Sequence, residues 1–182
     1  MGTALLTDRY ELTMIDAAMG SGMHDRECVF EVFTRRLPEG RRYGMVAGTG
    51  RLLDAIESFR FGDDELAFLR DNAVVRPDAI DWLADFRFRG QVWGYREGET
   101  FFPGSPLLVV EGSFAEAVLL ETIVLSVLNY DSAVASAAAD TSASRLRRAM
   151  SWLVYLAAIT SPCSVMRKVP STAPGGWAST AS

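Results

Sequence analysis

The chain has 182 residues, 49% hydrophobic and 23% charged, enough for one domain with a real core or one domain with an appendage. Its net charge of −5 argues against a nucleic-acid partner. Two widely separated cysteines, Cys28 and Cys163, exclude a dense disulfide framework and favour a reducing, cytoplasmic setting, and no basic-then-apolar leader opens the sequence.

Thr7 and Asp8 are helix-capping types, and Leu12, Ile15 and Met19 recur behind them at helical spacing. A helix is therefore expected to start within LLTDRYELTM (5–14) and to end at Gly20 and Gly22. CVFEVFT (28–34), rich in β-branched and aromatic residues, predicts a buried strand, and RRLPEGRR (35–42) a basic turn after it. TGRLLDAIESF (49–59) has an amphipathic helical pattern. DDELAFLRD (63–71) places acids in a first helical turn, where the dipole favours them, and PDAIDWLADF (77–86) opens on a proline that a helix start tolerates. FRGQVWGYREGETFFPGSPLLVVEG (88–112) predicts strand, turn and strand, with a tight connection from Glu99 to Gly104. FAEAVLLETIVLSVLNYDSAVASAAA (114–139) predicts one long, largely buried helix or two head to tail. Glu121, Asn129 and Asp131 interrupt it, so a membrane span is not expected. The body reads as α+β, helices around a small sheet.

Beyond residue 139 the composition changes. Residues 1–139 carry 22 acidic and 13 basic side chains, whereas 140–182 carry one acid, Asp140, and five bases, Arg145, Arg147, Arg148, Arg167 and Lys168. The apolar AMSWLVYLAAI (149–159) falls short of the roughly 20 residues that cross a bilayer. It could lie on a membrane surface behind its arginines, but an apolar segment without a partner suits it better, and no membrane partner is expected. From Ser161 onward, prolines, glycines and small residues predict disorder. The chain thus divides into a domain, 1–139, and a tail, 140–182.

The only histidine, His24, rules out the usual Ser-His-Asp triad or a histidine-rich metal site, and in GSGMHD it reads as a solvated loop residue. Gly48-Thr49-Gly50 precedes a helix and could bind an anion, although a helix start needs a cap in any case. Arg35 and Arg36 follow a strand directly. A strand end is a rigid mount and paired guanidiniums suit phosphate oxygens, while a solvated surface pair fits the same pattern. Tyr10 beside Asp8 offers a flat ring and a carboxylate that could sandwich a small aromatic ligand. Spacing alone describes a helix start with a packed tyrosine.

Five blocks follow one another from about Leu5 to Ala139: LLTDRYELTM, FEVFTRRLPEGRRYGMVAG, DDELAFLR, FRGQVWGYREGETFFPGSPLLVVEG and LLETIVLSVLNYDSAVASAAA. In their order and spacing they resemble the N-terminal part of bacterial nicotinate phosphoribosyltransferases of actinobacterial type. The resemblance implies the α+β N-terminal domain of a type II phosphoribosyltransferase, from a cytoplasmic, homodimeric enzyme of NAD salvage. The implied reaction joins nicotinate to 5-phosphoribosyl-1-diphosphate and releases diphosphate. ATP is the implied co-substrate, and Mg2+ accompanies the diphosphate donor without an identifiable site in this sequence. In such enzymes the tyrosine of the opening D-x-Y, here Tyr10, stacks on the pyridine ring in the other subunit's active site, and Asp8 helps shape that pocket. Arg35 or Arg36 would reach the phosphates of the ribose donor.

Family members are considerably longer, so the resemblance implies that an irregular α/β barrel is missing, with the histidine that ATP phosphorylates. His24 does not occupy that histidine's place. After Ala139 the family continues its helix with an arginine, whereas this chain turns to DTSASRLRRAMSW. With the charge break, that points to a tail read in a shifted frame. Two other readings stand beside the enzyme: a non-catalytic N-terminal fragment that is a remnant or forms dimers, and a transferase for nicotinamide or quinolinate. Without a barrel, Leu119, Ile123 and Val127 of the long helix are expected to be exposed.

Overall fold

The computed structural model describes residues 4–139, 154–159 and 178–179. After a 3-10 turn at Ala4–Leu6 come α1 (Arg9–Gly20), β1 (Glu27–Thr34), β2 (Gly44–Met45), α2 (Thr49–Ser58), α3 (Asp63–Asp71) and α4 (Pro77–Ala84). Then follow β3 (Gln91–Gly94), β4 (Thr100–Phe101), β5 (Pro106–Ser113), α5 (Phe114–Leu119), α6 (Glu121–Ala139), β6 (Val154–Ile159) and β7 (Ala178–Ser179). Helices around a small sheet are what the sequence predicts, and each helix start has its expected chemistry. Asp63, Asp64 and Glu65 fill the first turn of α3, and Pro77 opens α4.

The main sheet has strand order β6-β1-β5-β3-β7. Its pairs are antiparallel, with Glu27 opposite Ser113 and Val92 opposite Val110. β2 and β4 form a separate two-stranded ribbon that sets Gly44 opposite Phe101. A Cβ on Gly44 would lie 2.2 Å from the Phe101 ring, so the close approach requires glycine there.

Phe30 and Val32 of β1 and Leu108 and Val110 of β5 turn into one core with Leu12 and Ile15 of α1, Leu52 and Ile56 of α2, and Val124 and Leu128 of α6. Alternation along β1 puts the intervening Glu31 and Phe33 at partly exposed positions, as the two-residue period of a half-covered strand requires. Leu107, one residue out of step with Leu108, joins Val46 and Phe101 in a second, smaller cluster.

The long apolar stretch is two helices rather than one, broken at Leu120. Ser113 caps α5, its hydroxyl accepting the Glu116 N–H at 3.3 Å. The expected exposed face is not found. Leu119 and Val127 are buried and Ile123 is partly buried, because the domain's own core covers them. The exposed large apolar side chains on α6 are Tyr130 and Val134 instead. By length and composition α6 could cross a membrane, but here it lies against α2 and β2.

The backbone of β6 pairs with the outer edge of β1, Val29 opposite Ile159 and Thr34 opposite Val154, so residues 154–159 do have a partner. β7 pairs in the same way with β3. Extended, apolar chain beside an open strand edge satisfies backbone groups that would otherwise face water. The rest of the 140–182 tail, with the expectation of disorder there, lies outside the described residues.

Candidate functional site

The first turn of α1 holds the main cluster of polar chemistry, built on Glu11, whose side chain is fully buried. Its Oε2 accepts hydrogen bonds from the Thr7 hydroxyl and from the Asp8 N–H at 3.0 Å. Its Oε1 accepts from Thr122, the N–H at 3.1 Å and the hydroxyl at 2.7 Å. One carboxylate thus satisfies otherwise orphaned donors at the starts of two helices, α1 and α6. Burial pushes the Glu11 carboxyl above the ordinary glutamate value, the Thr7, Thr122 and Asp8 hydrogen bonds pull it back, and the charge of Glu121 adds to the rise.

Tyr10 stands next to this anchor. Tyr10 is 46% exposed, so it is not locked into the core, and the Glu121 carboxylate is among the groups that act on its phenol. The phenol titrates well above its ordinary value, through partial burial first, then through the bond to Glu121 and the charges of Glu121, Glu11 and Asp8. Glu121, half-buried at the start of α6, is pushed up by burial and by the charge of Asp8, while the Tyr10 bond pulls it back. Asp8, the N-cap of α1, is exposed. Tyr10 and Asp8 therefore share one helical turn and one acidic environment: a half-open ring on a base fixed from below.

Arg35 and Arg36 are exposed and follow directly on Thr34, the buried last residue of β1. The Gly104 N–H donates to the Thr34 carbonyl at 2.9 Å, which fixes the strand end. The arginine pair belongs to this place on the fold, and Tyr10 with Asp8 to the start of α1.

His24 is not the solvated residue expected. Its side chain is 24% exposed, with Nε2 3.2 Å from Asp25 Oδ2. Its carbonyl accepts the Ala115 N–H at 3.0 Å, so this loop caps α5.

The glycine pair at 48 and 50 does hold an anion, and the anion is the chain's own. The Gly48 N–H donates to Glu97 Oε2 at 3.0 Å and the Gly50 N–H to Glu97 Oε1 at 3.1 Å, which leaves the start of α2 already satisfied. Behind it, Arg51 grips Asp131 of α6 with two bonds of 3.0 and 2.8 Å. The Ser136 and Ser132 hydroxyls accept from the backbone N–H groups of Met45 at 2.8 Å and Ala47 at 3.1 Å. Gly48 has φ +92°, and a Cβ there would lie 2.5 Å from Asp131 Oδ2. Gly48→Ala is expected to cost about 2 kcal/mol, from the left-handed backbone alone. Urea unfolding should show a lower midpoint at unchanged slope, and an unshifted midpoint would contradict this.

Sequence reading treated Glu121 as an interruption of a helix and did not single out Glu11, Thr122 or Glu97. Asp8 followed three residues later by Glu11 is a capping signature that marks the first of these. Glu97, 47 residues from Gly50, leaves no local signal. Among the described residues no group of three or more histidine, cysteine, aspartate or glutamate side chains could hold a metal ion.

Residues 5–129 match the family model described as the nicotinate phosphoribosyltransferase (NAPRTase) N-terminal domain. Over 135 residues the chain is 59% identical to nicotinate phosphoribosyltransferase pncB1 of Mycobacterium tuberculosis, covering 74% of this chain and 30% of that protein. It is 35% identical to the nicotinate phosphoribosyltransferase of Bacillus subtilis over 136 residues, 75% of this chain and 28% of the relative. The crystal structure of human nicotinic acid phosphoribosyltransferase superimposes with a TM-score of 0.66 at 30% identity, over 72% of this chain and 27% of the human one. The nicotinate-nucleotide pyrophosphorylase of Pyrococcus furiosus, with a TM-score of 0.56 at 22% identity, shares the fold alone. The chain spans less than a third of the length of each of these proteins.

Proposed function

The chain belongs to the nicotinate phosphoribosyltransferase N-terminal domain family, and from that premise we propose that it carries the pyridine-facing part of an enzyme of NAD salvage. The reaction joins nicotinate to 5-phosphoribosyl-1-diphosphate, giving nicotinate mononucleotide and diphosphate, with ATP as co-substrate. In this reading the Tyr10 ring stacks on the pyridine in the cleft of a second subunit and Asp8 borders the same pocket. Arg35 and Arg36 set positive charge where the diphosphate leaves with its electron pair. Mg2+ enters with the diphosphate donor. The observation that carries the proposal is the half-exposed Tyr10 ring on a first turn that Glu11 ties to α6. A ring held in this way loses little freedom when a flat ligand settles on it.

A chimera tests it. Residues 5–139 placed in the matching part of a full-length relative should keep nicotinate phosphoribosyltransferase turnover. Tyr10→Ala in that chimera should lower kcat/KM for nicotinate at least about fivefold, since stacking of a base on an aromatic side chain is worth about 1–3 kcal/mol. A chimera indifferent to Tyr10→Ala would defeat the role given to the ring.

The small share of each relative that the chain covers favours a second reading for the 182 residues taken alone: a non-catalytic fragment. Mixed with nicotinate, 5-phosphoribosyl-1-diphosphate, ATP and Mg2+, the chain is expected to form no mononucleotide above background by chromatography. Turnover comparable to a full-length relative would reverse that reading.

A further inference from the structure

The strands β1, β5 and β3 lie within the residues that match the family model, and by themselves they leave two sheet edges open. The chain closes both with residues from beyond that match, β6 along β1 and β7 along β3. The β7 pairing spans two residues, whereas β6 runs along six residues of β1, 29–34. The edge under β6 is of a kind that pairs readily. β1, ECVFEVFT, has neither lysine nor proline to blunt it, and its Val29 is 44% exposed.

That edge is also self-complementary. Directly opposite residues share a face, so β1 paired with a copy of itself must keep the buried Phe30, Val32 and Thr34 on one side and Val29, Glu31 and Phe33 on the other. A two-fold axis at Val32 does so, setting Glu31 opposite Phe33 and Phe30 opposite Thr34. An axis at Glu31 would set two carboxylates opposite each other, which disfavours it.

We propose that the outer edge of β1 is a self-association surface and that residues 154–159 are the strap that keeps a second copy of the chain off it. With the strap away, β1 of one copy pairs antiparallel with β1 of the next in a closed two-fold dimer, and one sheet runs through both. Tethering sets the competition. The 14 residues 140–153 join α6 to β6 and hold the strap at a local concentration on the order of millimolar. A second copy at micromolar concentration does not displace it. Tyr10 belongs to α1 and takes no part.

The test uses the full 182-residue chain carrying Leu156→Pro and Ala157→Pro together. Successive N–H groups of a strand point to opposite sides, so one of the two prolines removes a bond to β1 whichever way the ladder runs. In the unsubstituted chain the amides of 29–34 that face away from β5 are expected to be protected from hydrogen exchange at every concentration. In the double variant the same amides should exchange at least about tenfold faster at low micromolar concentration. At roughly 100 μM the variant should sediment as a dimer and their protection should return, because the strap no longer competes. Unchanged exchange in the variant overturns the strap. Faster exchange with no dimer at the higher concentration overturns the self-association, and so does a dimer in which these amides stay unprotected. Should the prolines abolish the near-UV signal of the folded chain, Ala157→Gly with Ala158→Gly loosens the strap more gently and is read in the same way.

Discussion

Glu11→Ala is expected to lower the unfolding free energy by about 3 kcal/mol, among the largest effects of any single polar substitution in this chain. Leaving a buried donor without a partner costs about 1–3 kcal/mol, and the substitution strands the backbone N–H of Thr122 and the donors at Asp8 and Thr7 together. Glu11→Gln keeps one acceptor oxygen and should cost markedly less. The unsubstituted chain and Glu11→Gln also separate in pH. Burial holds the Glu11 carboxyl above its ordinary value, so the folded chain binds this proton more tightly than the unfolded chain does. That contribution to stability is complete below the unfolded-state value, about 4.3, and is lost as pH rises through the higher folded-state value. Stability of the unsubstituted chain should therefore fall more steeply with pH above about 4 than that of Glu11→Gln. Denaturant unfolding across pH 4 to about 7 checks both points, and parallel curves for the two proteins would contradict them.

Phe59→Ala is the second large loss, about 3–5 kcal/mol for an aromatic removed from a packed core. Phe59 is 1% exposed and ends α2, with its ring edge-on to Phe61 at 5.9 Å and to Phe86 at 5.8 Å. The three rings knit the ends of α2 and α4 to the start of α3, and T-shaped contacts add to the area that they bury. Phe59→Leu should recover part of the loss by refilling volume without the ring edges. An alanine variant that unfolds at the original denaturant concentration would show that the cavity closes without cost.

Much of the fold was legible because its signals are local. The stripe of Leu12 and Ile15, the acids opening α3, Pro77 at the start of α4 and the strands β1, β3 and β5 each announce themselves within ten residues, whereas the expected tight connection from Glu99 to Gly104 also holds β4, which pairs with the distant β2. The long apolar stretch was legible as helix but not as covered. Composition shows that Leu119 and Val127 are apolar, yet only the tertiary arrangement shows that this domain buries them. At the candidate site the sequence offered Tyr10, Asp8, Arg35 and Arg36 through motif and resemblance. It did not offer what holds Tyr10, because Glu11 and Thr122 lie 111 residues apart. The glycine pair misled in the opposite direction: a helix start that looks ready for a ligand is already filled by Glu97. Local chemistry marks an anion-binding turn, but distant sequence decides what fills it.

The fastening of α6 at both ends has a mechanical consequence. A helix of 19 residues is a stiff rod about 28 Å long. Glu11 pins its first turn, while Asp131, Ser132 and Ser136 pin its second half to the segment from Met45 to Arg51. A rod clamped in this manner does not absorb a push in slack. It transmits it, so a tilt forced on the segment around Gly48 is carried along α6 to the Glu11 contact at the first turn of α1.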